Sequence, residues 1–380
     1  MDIQQIREQI DQVDDQIVAL YLKRLALVAD IARCKKDGDM AVDNPTREKE
    51  IIYRLTKDVE DDSRKLYVKD LYTSIFTTSK AYQSALLGRT SPTAERLKAI
   101  KAEGQENFPV SASVACQGVL GANSYSAANK LFPICNITYF RTFEGVFGAV
   151  AKGLCRYGVL PIENSTAGSV NEVYDLMKKY DFHIVKAVRL KINHCLAVKK
   201  GVALKDVTTV VSHSQALSQC ADYVKKMGFA QRIAENTATA AKELAQSEDV
   251  HTAVLCSADC AAIYGLEVLE TSVQDNSSNY TRFICIGKRL EVFAGSNKIS
   301  VMTSLPHESG SLHKTLGRFA SMGLDLTKLE SRPLPDTPFA FMFYFDFEGN
   351  VFDDKIVALI AELENSSDNF TFLGSYQELI

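Results

Sequence analysis

The sequence predicts a chain of three parts: an all-α N-terminal segment, a two-lobed α/β region with a cleft, and a ferredoxin-like βαββαβ unit at the end. Three observations predict it. Residues 1–88 carry apolar residues at helical spacing, with one Pro and two Gly. From about 112 to 287, short apolar runs alternate with helical stretches. From 297 to 380 the runs read strand, helix, strand, strand, helix, strand. The 380 residues suffice for two to four domains of roughly 100–200 residues each.

In the first part Ile3, Ile6, Ile10, Val13, Ile17, Leu20, Leu27, Ile31 and Cys34 recur at steps of three and four, with one step of seven. That is one long amphipathic helix of coiled-coil type. Lys36-Asp37-Gly38-Asp39 ends it. A second helix is expected from Thr46, with Pro45 just before it, and a third through Leu66, Leu71, Ile75 and Tyr82. One long and two shorter helices bury little by themselves, so a second copy of the chain is expected to complete the core. Residues 89–110 are polar and Pro-punctuated, and read as a linker that includes a short helix.

In the second part strands are expected at 113–118, 136–140, 157–162 and 183–190, with helices at 124–131, 143–153 and 170–179. A second lobe follows, with strands at 194–200, 208–212 and 252–257 and helices at 214–227, 237–245 and 258–264. Residues 279–287 read as a returning strand. Clefts between two such lobes hold ligands. The last part has strands at 298–306, 326–334, 339–349 and 370–378 and helices at 309–322 and 353–364.

Composition excludes several classes. With 46% hydrophobic and 24% charged residues, the chain is not of disordered type. A net charge of -4 without a basic stripe argues against a nucleic-acid partner. No apolar run approaches the ~18–20 residues of a membrane span, and the N-terminus lacks the apolar core of a signal peptide. A cytoplasmic protein is expected. The nine cysteines are scattered without a CxxC pair, which predicts free thiols. Cys256 and Cys260 have no further ligands to complete a zinc set, so no metal is expected. The turn with Gly118 and Gly121 is not GxGxxG, which argues against a nucleotide, and no cofactor is expected.

The helical part carries an unusual set of polar residues. Arg24 sits in the apolar seam between Leu20 and Leu27, where a cation costs stability unless paired or snorkelling at the seam edge. Lys35 lies eleven residues on, about 16 Å along the helix, so two long side chains can meet one ligand. Arg7 is about 42 Å from Lys35 on the same helix. If the three serve one site, Arg7 comes from another chain. Arg47 and Glu48 open the second helix, and Ser79 and Gln83 lie one turn apart on the third. A pocket of several cations and few acids suits a dianion and stabilises separating charge without a nucleophile.

These residues resemble the all-helical chorismate mutase family, on Ile6-Arg7-Glu8, Ile10, Val13-Asp14, Arg24, Lys35, Thr46-Arg47-Glu48-Lys49-Glu50, Ser79 and Gln83. The resemblance covers residues 1–88 and implies an intertwined helical dimer. It implies that Arg24 and a partner's copy of Arg7 bind the substrate carboxylates. Lys35 and Gln83 would hydrogen-bond the ether oxygen, Glu48 would hold the ring hydroxyl, and Arg47 and Ser79 would line the pocket. Asn44 stands where the family usually has Asp, and an amide still accepts a hydrogen bond.

In the α/β part three polar segments occupy strand ends: Pro161-Ile162-Glu163-Asn164-Ser165-Thr166-Ala167-Gly168, Ser212-His213-Ser214-Gln215-Ala216-Leu217, and Asn279-Tyr280-Thr281-Arg282-Phe283. Such places hold anions, although Ser165 and Ser212 could equally cap helices. With Gly118-Val119-Leu120-Gly121, Ser124-Tyr125-Ser126, Tyr264-Gly265-Leu266 and Gln274-Asp275-Asn276 they resemble prephenate dehydratase over 112–287. The family usually has Pro where this chain has Ser214. The resemblance implies that Thr281 meets the leaving hydroxyl. Asn164, Ser165, Gln215 and Arg282 would bind substrate or shape the cleft. His213 is either an acid or a structural residue.

The C-terminal part resembles phenylalanine-binding ACT regulatory domains through Glu330-Ser331-Arg332-Pro333 and Gly310-Ser311-Leu312-His313, where His313 replaces the usual small apolar residue. The implied effector site is Gly310, Ser311, Leu312, Glu330, Ser331 and Arg332. The domains are then 1–88 (mutase), 89–110 (linker), 111–290 (dehydratase) and 296–380 (ACT). The implied substrates are chorismate and prephenate, with phenylalanine as feedback effector and a homodimer or higher homo-oligomer as the assembly. Two rivals remain open: an amino-acid-sensing module without catalysis, and a dehydratase whose helical part is only a dimer clasp.

Overall fold

The computed structural model describes residues 2–38, 44–87, 90–307, 310–334 and 341–380, without the side chains of 35–38 and 85. Contacts divide the chain into a first unit of residues 1–99, 302–347 and 352–370 and a second of 100–301, 348–351 and 371–380.

The first unit begins with helix α1, Ile3–Gly38, 36 residues without a Pro. Helix α2, Pro45–Thr56, starts at the proline itself, whose missing N–H is no loss in a first turn. Asn44 caps it: its Oδ1 accepts the Arg47 backbone N–H at 3.0 Å. Helix α3, Asp62–Leu86, packs on both. Val28, Ala32 and Phe76 are buried between α1 and α3, whereas Ile3, Ile6, Ile10, Val13, Ile17 and Leu20 are 43–67% exposed. The expected seam is therefore not the face that packs on α3: its later members Leu27 and Ile31 are 59% and 48% exposed as well, and the contact is made by Val28 and Ala32 beside them. Helix α4, Pro92–Glu103, occupies the expected linker. It is a packed element: Leu97 and Ala94 are buried, and the Thr93 backbone N–H donates to Glu364 at 3.2 Å. Its narrow apolar face is hidden in a polar composition.

The second unit holds the two lobes. The first lobe comprises β1 (Ser111–Gln117), α5 (Asn123–Leu131), β2 (Ile134–Phe140), α6 (Phe143–Ala151), β3 (Tyr157–Asn164), β4 (Gly168–Ser169), α7 (Asn171–Tyr180) and β5 (His183–Lys191). The second comprises β6 (Cys195–Val198), β7 (Thr209–Ser212), α8 (Ser214–Gln219), α9 (Ala221–Met227), β8 (Ala230–Ile233), α10 (Thr237–Gln246), β9 (Thr252–Cys256), α11 (Ala258–Ile263) and β10 (Glu267–Glu270), forming a sheet of order β10-β6-β9-β7-β8. The chain then returns as β11, Tyr280–Gly287, between β5 and β3 and antiparallel to both. The expected helix at 214–227 is two helices. Cys220 leaves helical geometry, and the Gln219 carbonyl turns aside to accept the Asp275 N–H at 2.8 Å.

The C-terminal elements are β12 (Lys298–Ser304), α12 (Ser311–Ser321), β13 (Leu326–Pro333), β14 (Phe341–Glu348), α13 (Asp354–Asn365), β15 (Phe370–Tyr376) and β16 (Glu378–Leu379). Four of the strands form a sheet of order β13-β14-β12-β15, the ferredoxin-like order. Phe319 of α12 stacks on Phe345 at 5.4 Å and meets Phe347 edge-on at 5.1 Å. The last strand, β16, leaves this sheet and joins the first-lobe sheet parallel to β5, giving the order β16-β5-β11-β3-β1-β2 with β4 beside β3.

Candidate functional site

In the first unit the seam arginine is paired. Arg24 donates to the Ser79 hydroxyl and lies 5.8 Å over the Phe76 ring. Ser79 in turn donates to the Ile75 carbonyl at 2.6 Å and is 3% exposed. One turn further along α3, Gln83 is 7% exposed and its Oε1 has no hydrogen-bond partner among the described residues. A buried amide oxygen without a partner has a lone pair that can accept a hydrogen bond from a donor brought to it. Glu48 of α2 is held by Lys80 of α3 at 3.1 Å. Lys80 is a second cation beside Ser79, and it follows Ser79 directly in sequence. Arg24, Ser79, Gln83, Lys80 and Glu48 thus lie on the facing parts of three packed helices. Arg47 faces away and pairs with Glu50 at 2.9 Å, exposed. Asn44 commits its Oδ1 to the α2 cap. Arg7 is exposed and about 25 Å along α1 from Arg24. The backbone of Lys35 lies in the last turn of α1, and its side chain lies outside the described residues.

In the second unit two of the three polar segments, 161–168 and 279–283, converge along the paired strands β3 and β11. Thr281 on β11 and Asn164 at the end of β3 are register partners in an antiparallel pair. The Asn164 amide is oriented without ambiguity, because its Oδ1 accepts the backbone N–H groups of Thr166 at 3.0 Å and Ala167 at 2.9 Å. Its Nδ2 therefore donates to the Thr281 hydroxyl at 2.9 Å and to Asn279 Oδ1 at 2.8 Å. With a lone pair so occupied, the Thr281 O–H proton is directed elsewhere. Asn279, 2% exposed, passes the polarity on: its Nδ2 donates to Gln219 Oε1 at 2.9 Å. Neither expected serine caps a helix. Ser165 accepts the Tyr280 N–H at 2.9 Å and donates to the Ser278 carbonyl at 3.2 Å, fastening β3 to the start of β11. Ser212 donates to the Leu255 carbonyl at 2.7 Å. His213 is the cap of α8, its Nδ1 accepting the Gln215 backbone N–H at 3.2 Å.

Two expected residues stand apart from this network. Successive strand residues point to opposite faces, so Arg282 cannot join Thr281. It lies opposite Glu163, and its Nε meets Glu378 Oε1 at 2.7 Å with both side chains 8% exposed. Lys298 Nζ and Arg189 Nη2 hold the other oxygen of Glu378 at 2.8 Å each. Burial pushes the Glu378 carboxyl up, but these cations outweigh it and hold the group below the ordinary carboxylate range. The ladder to β3 shifts register between Arg282 and Phe283, a bulge of the kind that re-aims side chains beside active sites. Gln215 is half-buried on α8, and it is Gln219, one turn later, that enters the network. Gln219 was absent from the expected site, and Asn279, which opens the third polar segment, was given no role of its own there. Their signal was their place, one helical turn after Gln215 and two residues before Thr281.

Among the C-terminal elements Gly310 is in the left-handed region at φ 88° and begins α12, with Ser311 9% exposed and Leu312 half-buried. That conformation suits Gly alone. Glu330 and Arg332 share one face of β13, where Lys328 lies 3.2 Å from Glu330, and Ser331 points to the other face. His313 is exposed.

Among the described residues no group of three or more His, Cys, Asp or Glu is placed to hold a metal, and no helix is long and apolar enough to cross a membrane. Residues 6–84 match the family model for chorismate mutase type II, and residues 114–291 match the model for prephenate dehydratase. The chain is 38% identical over 275 residues to arogenate dehydratase/prephenate dehydratase 2 of Arabidopsis thaliana, covering 69% of this chain and 72% of that protein. It is 30% identical over 380 residues to the bifunctional chorismate mutase/prephenate dehydratase of Buchnera aphidicola, covering 97% of this chain and 95% of that one. The structure of prephenate dehydratase in complex with L-Phe from Arthrobacter aurescens aligns with a TM-score of 0.64 at 27% identity, over 70% of this chain and 89% of that chain. With both models matched in order and a bifunctional relative aligned almost end to end, the chain belongs to the bifunctional chorismate mutase/prephenate dehydratase family and is an enzyme of phenylalanine biosynthesis with both activities.

Proposed function

We propose that residues 1–88 rearrange chorismate to prephenate, that residues 111–290 convert prephenate to phenylpyruvate around Thr281, and that residues 296–380 form an ACT domain through which phenylalanine inhibits the enzyme. In the second step the electron pair of the bond to the ring carboxylate moves into the ring as CO2 leaves, and the ring hydroxyl departs with its own pair. The ring becomes aromatic, and the hydroxide needs a proton or a hydrogen bond. The carrying observation is the Asn164 to Thr281 hydrogen bond, which occupies a threonine lone pair and leaves its proton to point at a leaving oxygen. Asn279 and Gln219 support that geometry, and Ser165 holds the two strands together. Arg282 shapes β11 from its other face. Added prephenate tests the assignment: Thr281→Val, which keeps the shape and loses the hydroxyl, removes most phenylpyruvate formation. Full activity in that variant rejects it.

For the mutase step, Arg24 and Ser79 bind a substrate carboxylate, Gln83 and Lys35 face the ether oxygen, and Glu48 takes the ring hydroxyl. A second copy completes the site. The N-terminal half of α1 exposes six apolar seam residues, whose burial is worth on the order of 10 kcal/mol. A partner helix covering that seam would also bring its Arg7 to this Arg24. The assembly is thus a homodimer or a multiple of it. The free state of all nine cysteines fits a reducing, cytoplasmic setting. Phenylalanine sites are assigned to the Gly310-Ser311-Leu312 turn and to Glu330, Ser331 and Arg332. A phenylalanine-bound relative of similar fold supports this.

A further inference from the structure

We infer that His194 is a positioning residue for the dehydration step: its ring N–H is the second of two donors that hold the Gln219 amide oxygen toward Asn279, and so it helps keep the Thr281 proton free for the leaving hydroxyl. The inference rests on the Thr281 reading above. His194 lies just before β6, in the second lobe, and is 4% exposed. Its Nε2 is 3.1 Å from Gln219 Oε1.

The direction of each bond follows from one end of the chain of groups. Two backbone N–H groups orient Asn164, which orients Asn279, whose Nδ2 donates to Gln219 Oε1. Gln219 therefore presents oxygen, and His194 must donate to it. That selects the neutral Nε2–H tautomer. Nδ1 is left as a buried lone pair without a hydrogen-bond partner among the described residues. Protonating it would bury an unsatisfied N–H, and burial accordingly pushes the imidazole below its ordinary pKa. The ring is held by its own backbone: the His194 N–H donates to Gln274 Oε1 at 2.9 Å, and its carbonyl accepts the Val273 N–H at 3.0 Å.

The two ends of an amide have nearly the same shape, so only hydrogen bonds choose between them. Without the His194 donor, Gln219 loses one of the two donors that hold its oxygen toward Asn279. A turned Gln219 sets NH2 against NH2, and relief of that clash turns Asn279 and pulls Asn164 from Thr281. A threonine whose lone pair is released is free to rotate its proton away from the substrate.

The test uses the full chain with added prephenate. His194→Leu keeps apolar bulk without the donor, and His194→Gln restores an N–H near the Nε2 position. We expect His194→Leu to lower dehydratase kcat roughly 10- to 100-fold with KM little changed, and chorismate turnover to stay at the wild-type rate. His194→Gln should regain most of the loss. In a Thr281→Val background, His194→Leu should add no further loss, because the two act as one unit. Full kcat in His194→Leu overturns the inference, as does equal impairment of Leu and Gln variants or an additive loss with Thr281→Val. If the Leu variant does not fold, His194→Asn, whose N–H falls near Nδ1 instead, is compared with His194→Gln. Equal rates for these two also overturn it. A fully active Thr281→Val rejects the underlying reading and the inference with it. An inactive Thr281→Val beside a fully active His194→Leu rejects the inference alone.

Discussion

Arg282 and Glu378 meet at 2.7 Å, each side chain 8% exposed, although 96 positions separate them. The pair ties the last strand of the chain to the strand that carries Thr281, across β5. Removing one partner of a buried pair leaves the other charge uncompensated, which typically costs about 3–5 kcal/mol. Glu378→Gln should therefore lower the stability of the second unit by that order and reduce dehydratase activity through β11. Denaturant unfolding of the wild type and variant measures it.

The same cluster predicts an acid response. Glu378 is held below its ordinary pKa in the folded chain. A carboxylate so depressed adds stability that is complete above its unfolded pKa, about 4.3, and is lost as pH falls through the lower folded value. Thermal melts between pH 6 and pH 3 should show the wild type losing its advantage over Glu378→Gln below about pH 4.3. An advantage that does not shrink at all between pH 6 and pH 3 would contradict the cation pairing.

Asn164→Asp keeps the size of the side chain and reverses its hydrogen bonding to Thr281. The carboxylate still accepts the Thr166 and Ala167 N–H groups, but it now takes the Thr281 proton. Dehydratase kcat should fall on the order of 10²-fold, the typical cost of a lost transition-state donor. Steady-state rates with prephenate check this.

A site shared between copies predicts complementation. Arg7→Ala and Arg24→Ala each should abolish most mutase activity. Mixed and refolded together, they should recover about a quarter of the wild-type sites, because half of the dimers are mixed and each holds one intact site. No recovery would mean that Arg7 serves its own chain or none.

Lys35→Ala should lose about 10²–10³ in chorismate turnover, the usual cost of a donor to a developing oxyanion. Dehydration of added prephenate should stay at the wild-type rate, because Thr281 stands on a separate unit.

Most elements were legible because periodicity betrays them: steps of three and four for α1, and apolar runs for β3, β5, β9 and β11. Helix α4 was legible only as a short helix inside a linker and not as a packed element, because its buried face is as narrow as Ala94 and Leu97. Strands β4 and β16, two residues each, are too short for a pattern, and β8 (Ala230–Ile233) and β10 (Glu267–Glu270) lack the apolar run that marks β6 and β7. In the site, Asn164 and Thr281 were legible as polar residues at strand ends. That Arg282 lies on the other face of β11 from Thr281, paired with Glu378, was not legible, because Glu378 is distant in the sequence. Gln219 and His194 were invisible because an amide or imidazole in a buried network has no spacing signature; only the folded register brings them to Asn279.

The central claim is that one chain carries both reactions at separable sites. Its most direct test is chorismate added to the purified wild type and to Thr281→Ala, with chorismate loss and phenylpyruvate formation followed together. Wild type should consume chorismate and release phenylpyruvate, while Thr281→Ala should consume it at the same rate and accumulate prephenate. Chorismate that persists with the wild type, or phenylpyruvate formed at the wild-type rate by Thr281→Ala, would contradict the account.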